Sequence, residues 1–148
     1  RKRGVYVLEK TVDIDAVCTA NSISALTAAD IIQVIDIPAE SYIIHAGAEV
    51  ITALNGTSPV LDIDFAAGDD FVDNHDASST GYAAAGTNGH VDYTAVTTFS
   101  NRITATDTLD VKVGAGANDV STGKIRVYVI LADISGVDET DPLQAVTF

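Results

Sequence analysis

Apolar and polar residues alternate over short runs along most of this chain, the period of half-buried β-strands. Lys124 to Asp133 reads KIRVYVILAD and sets Ile125, Val127, Val129 and Leu131 on one face, with Arg126 and Tyr128 on the other. Thr108 to Val113, TLDVKV, turns Leu109, Val111 and Val113 inward and Asp110 and Lys112 outward. Pro59 to Phe65 sets Leu61, Ile63 and Phe65 against Asp62 and Asp64. Val5 to Ile14, Ile31 to Ile37 and Tyr42 to Leu54 are further β-branched runs, and Val91 to Phe99 and Arg102 to Ala105 are weaker ones.

Turn chemistry falls between these runs. Asn55-Gly56 predicts a hairpin between the run ending at Leu54 and the run starting at Pro59. Ile37 to Ser41 links two strands through Pro38, and Gly114 to Asn118 with Ser121 to Gly123 separates the last two. Thr87-Asn88-Gly89 precedes Val91, and Ser78 to Gly89, SSTGYAAAGTNG, reads as a long loop at one end of the fold. Asp15 to Ala29 has room for a helical turn, but its Ser, Thr and Asn residues compete with helix by bonding to the backbone. About eight short strands with Gly and Asn turns predict an all-β protein, an antiparallel β-sandwich in a single domain over residues 1–148. No internal repeat points to a propeller or solenoid.

Charge narrows the partners. The net charge is −13. Without Arg1, Lys2 and Arg3 the balance is five basic against 21 acidic residues, or −16, so residues 1–4 are a basic N-terminal arm on an acidic body. Such a surface repels nucleic acid. No apolar run approaches the roughly 18 residues that span a bilayer, and Glu9 and Lys10 end the first run too early for a signal peptide. The single cysteine, Cys18, excludes an intramolecular disulfide, so packing or assembly must supply stability. Residues 135–148 are acidic, carry Pro142 and close on Ala145-Val146-Thr147-Phe148, an apolar end expected to pack on a neighbour or partner.

Candidate chemistry is sparse. Gly68 to Asp76, GDDFVDNHD, holds four aspartates and a histidine, yet lacks the Asp spacing and the Gly of a calcium loop. It also lacks the further His or Cys ligands of a zinc site. It reads as a solvated hairpin or loop with Phe71 and Val72 turned to the core. Gly116 to Lys124, GANDVSTGK, has six residues between its glycines where a phosphate loop has four, and it enters a strand, so it reads as a turn. His45, His75 and His90 lie in separate segments, and no serine sits in a nucleophile elbow. Cys18 among small residues reads as a buried spectator. Asn55-Gly56-Thr57 matches a glycosylation sequon, but the turn alone accounts for it. No catalytic, cofactor or metal residues are assigned.

Val5 to Val12 (VYVLEKTV), Ala29 to Pro38 (ADIIQVIDIP) and Ser41 to Ala53 (SYIIHAGAEVITA), taken in this order, resemble segments of the small capsid cement or decoration proteins of tailed bacteriophages. The acidic Gly68 to Asp76 segment and Gly123 to Asp133 fit the same pattern. The resemblance covers most of the chain in pattern, and its motifs are structural. It implies a sandwich of jelly-roll type that sits as a homotrimer on the outer surface of an icosahedral virion and clamps the major capsid protein. It carries no catalytic residues. The residues expected at the partner contact are Arg1, Lys2, Arg3, Val146 and Phe148. A different class remains open, a β-sandwich module that binds carbohydrate or a receptor. Such a module should expose aromatic faces, whereas the five tyrosines here are scattered.

Overall fold

The computed structural model describes residues 4–65, 71–82 and 102–135. Among them are nine strands and one helix: β1 (Val5–Asp13), α1 (Ile14–Asn21), β2 (Ile31–Ile37), β3 (Ser41–Thr52), β4 (Val60–Asp64), β5 (Val72–Asp76), β6 (Gly81–Tyr82), β7 (Arg102–Ile103), β8 (Asp107–Val113) and β9 (Lys124–Asp133). The first sheet runs β1-β9-β3-β6, with β7 also on β3, and the second runs β2-β8-β4-β5. Every pairing is antiparallel. The chain changes sheet between most successive strands, and in each sheet a late strand lies between two early ones. This is the jelly-roll order.

The alternation read from the sequence sets the core. Ile125, Val127, Val129 and Leu131 of β9 are fully buried, as are Leu109, Val111 and Val113 of β8 and Ile63 of β4. They face one another between the sheets with Ile43 and Val50 of β3. On β3 the inward phase shifts part-way. Ser41 and Ile43 are buried before the irregularity between Ile43 and His45, and Ala46, Ala48 and Val50 after it. One extra residue re-aims the strand, leaving Ile44 exposed.

Two expectations are corrected. Asn55-Gly56 does not make a hairpin, because β3 and β4 belong to different sheets. Gly56 has φ +99 and the turn carries the chain across the sandwich. There the Asn55 Oδ1 accepts the backbone N–H groups of Ser121 and Thr122, both at 2.8 Å, tying this crossing to the one between β8 and β9. The helical region is two turns long. Ile14 and Cys18, four residues apart, are both buried, and this packing outweighs poor intrinsic propensity. The helix stops at Ser22, in the left-handed region at φ 56, where the N–H groups of Ser22 and Ile23 bond to the carbonyls of Thr19 and Cys18. The hairpin reading of GDDFVDNHD agrees with the structure, in which Val72–Asp76 form β5 and pair antiparallel with the preceding strand β4, with Phe71 and Val72 buried. Gly68 to Asp70 lie outside the described residues, as do Val91 to Phe99 and His90.

Candidate functional site

The sequence-predicted contact residues Arg1, Lys2, Arg3, Val146 and Phe148 lie outside the described residues. What the structure does place is the surface next to them in the chain, β1 and the outer face of its sheet. Tyr6, Leu8 and Val12 of β1 pack toward the core, so Val5, Val7, Glu9 and Thr11 point outward. The register lines these up with β9 and β3 in rows. Val5 lies beside Ala132 and Tyr42, then Val7 beside Ile130 and His45, Glu9 beside Tyr128 and Gly47, and Thr11 beside Arg126 and Glu49.

This face has two halves. The half around Val5, Val7, Ile130, Ala132 and Tyr42 is apolar, with Val5 64% and Val7 56% exposed. Contiguous apolar exposure of this kind marks a protein contact more often than a bare surface. The other half is charged and internally paired. Arg126 bonds Glu49 and also reaches the Tyr82 hydroxyl at 3.2 Å. Lys124 meets Asp13 at 2.9 Å. That contact holds the Asp13 carboxyl below its ordinary range, and the Glu49 charge raises the Arg126 guanidinium further. Between the halves the Tyr128 ring leans over Gly47, where an added Cβ would lie 2.7 Å from its hydroxyl. Its oxygen is 3.4 Å from His45 Nε2. Burial lowers the His45 pKa and raises that of Tyr128, so the pair is neutral at pH 7.

The remaining candidates do not assemble into a reaction centre among the described residues. His45 is on β3 and His75 on β5, in different sheets. No group of three or more His, Cys, Asp or Glu side chains there is arranged to hold a metal. Cys18 is buried with its Sγ 4.0 Å from the Val120 carbonyl, and burial pushes its thiol pKa up, away from reactivity. An open groove of about 1110 Å³ lies between α1, β1 and β2. It is lined by Val17, Ile23, Leu26, Ile32 and Val34 with Asp110 among them, and by no aromatic ring on which a sugar would stack.

Asp62, Asp64 and Asp110 correct the sequence reading, which turned them to solvent. They do lie on the face of the second sheet opposite the core, yet Asp62 is 3%, Asp64 0% and Asp110 7% exposed. Asp62 accepts the Asn74 N–H at 2.8 Å and lies 3.6 Å from Lys112 Nζ. Asp64 and Asp110 are direct cross-strand partners on β4 and β8. Burial raises the Asp110 pKa, and Asp107 adds to the rise, against a lowering hydrogen bond from Thr108. A raised carboxyl pKa means that the unfolded chain loses this proton first as pH rises. The carboxylate therefore costs stability above the unfolded pKa of about 3.9. Asp110→Asn is expected to raise the melting temperature at pH 7 and to leave it unchanged near pH 3, where both states are protonated. Equal shifts at the two pH values in thermal melts would show that the charge is not the cause.

Comparison with family models, with curated proteins and with solved structures finds no match. Among the described residues no helix is long and apolar enough to cross a membrane.

Proposed function

We propose that this chain is a structural protein of a phage virion, a decoration protein that binds the outer surface of an icosahedral head and stabilises its major capsid protein. The observation that carries the reading is the apolar half of the outer sheet face, with Val5 and Val7 more than half exposed beside Ile130, Ala132 and Tyr42. An apolar sheet face of this kind suits a protein partner, which buries apolar area broadly. The resemblance of the segments around β1, β2 and β3 to phage cement proteins supplies the class of partner. The acidic chain, at −13, supports a protein partner over a nucleic acid.

The test is to add the protein to purified undecorated heads and heat them beside untreated ones. Treated heads are expected to release their contents at a higher temperature. Ile130→Glu, at the centre of the apolar half, is expected to weaken head binding by about tenfold or more with the melting profile of the free protein retained. Equal release temperatures with and without bound protein would sink the proposal. Binding to an immobilised glycan instead would favour the ligand-binding module.

A further inference from the structure

We propose that His45 makes docking on the apolar half of the outer sheet face pH-dependent, admitting an uncharged, apolar partner surface while its ring is neutral and refusing it once the ring is charged. The inference rests on the reading of that half as the partner contact. It adds the residue that regulates the contact and the kind of surface that fits over it.

Register puts the ring there. His45 is opposite Ile130 on β9, and Ile130 is opposite Val7 on β1. Val129 and Leu131, on either side of Ile130, are fully buried, so Ile130, Val7 and His45 share the outward face. The irregularity between Ile43 and His45 decides this. Without the extra residue Ile44 would stand opposite Ile130 and His45 would turn into the core. Neighbouring strands are only about 5 Å apart, and a stable protein contact covers about 800 Å² on each partner. A partner seated on Val7 and Ile130 therefore covers His45 as well.

The surroundings do nothing to offset a charge on that ring. Its own row is apolar. In the next row the Tyr128 hydroxyl lies 3.4 Å from Nε2, a long contact to a neutral phenol. One row further, Arg126 and Glu49 pair with each other, and the Tyr82 hydroxyl meets the same guanidinium. Arg102 on β7 is held by Glu40. Glu9 on β1 is two strands and one row away from His45. That is roughly 10 Å by strand spacing, about a Debye length at ordinary salt. Burial already lowers the His45 pKa in the free chain. An apolar cover removes the remaining water and penalises the charged ring further.

The sign follows from linkage. A ring whose pKa is lower when covered must release its proton on docking. Affinity is therefore full above the free-state pKa and falls as pH drops below it. The loss sets in below the ordinary imidazole value of about 6.5. A carboxylate in the partner surface over His45 would reverse the slope.

Binding of the full chain to purified undecorated heads at about pH 7.5 and about pH 5, on either side of the imidazole range, tests this. The dissociation constant of the parent is expected to rise about threefold or more at the lower pH. His45→Gln keeps a polar, uncharged side chain and should bind with the parent's strength at the higher pH and lose nothing at the lower. An equal loss in parent and variant would place the titration in the heads or in the fold as a whole and overturn the proposal. Tighter binding by the parent at the lower pH would overturn it too, since the partner would then present a carboxylate. Binding that ignores pH removes the role of His45 and leaves the docking surface standing, whereas a parent that fails to bind heads at the higher pH removes both.

Discussion

Leu109→Ala is expected to lower the unfolding free energy by about 2–5 kcal/mol. Leu109 is fully buried at the centre of β8, the strand that lies between β2 and β4 in the second sheet. It is paired across the ladder with Ile35, itself buried. Truncation removes apolar contact and leaves a void that strands tied on both sides close poorly. Domains are commonly stable by only about 5–15 kcal/mol, so a substantial share of the total is at stake. Chemical denaturation should show a lower midpoint with the slope unchanged. The same truncation at Val7, which is mostly exposed, should cost less than about 0.5 kcal/mol. A loss below about 1 kcal/mol at Leu109 would mean that the site is not in the core between the sheets.

Gly123→Ala is expected to be at least as damaging, for a different reason. Gly123 has φ +125, a region that side chains rarely enter, at the start of β9. A Cβ there would come 2.9 Å from the Leu54 Cα and 3.0 Å from the Ala53 carbonyl oxygen. Those are backbone atoms of the β3 to β4 crossing and have no rotamer to escape into. Backbone strain of about 1–3 kcal/mol adds to overpacking of about 1–3 kcal/mol. Gly123 also presents the carbonyl that receives the Ile14 N–H, so a shift here disturbs the start of α1. Thermal unfolding of this variant should fall by more than ten degrees, on the order of 2–5 kcal/mol for a domain of this size. A melt within about two degrees of the parent would show that the backbone relaxes freely at this crossing.

The strands and the inward faces were legible in the sequence wherever a run alternates without interruption. KIRVYVILAD and TLDVKV place Leu131, Val129, Val111 and Leu109 in the core without reference to anything distant. The period of a strand is a local property, and water sorts its two faces. The strand after Asn55-Gly56 was also legible, but its sheet was not. A turn pair specifies a reversal only when the flanking strands bond to each other, and here each bonds to a strand distant in sequence. The phase shift at Ile44 and the two-turn helix around Cys18 likewise depended on what packs against them. So did the burial of Asp62, Asp64 and Asp110, whose polarity alone points to water.

The candidate surface divides the same way. Whereas the outward direction of Val5 and Val7 follows from the packing of Tyr6, Leu8 and Val12 toward the core, sequence by itself determined the β-branched strand run from Val5 to Ile14 and the charges on either side of it. It did not determine that β1 ends a sheet, nor that Ile130, Ala132 and Tyr42 stand beside it. Those facts come from pairing β1 with β9 and β9 with β3, strands that the chain separates by tens of residues. Edge position and the facing rows are properties of hydrogen-bond partnership between distant segments. Only the folded chain decides which backbone groups are used within it and which remain at its rim.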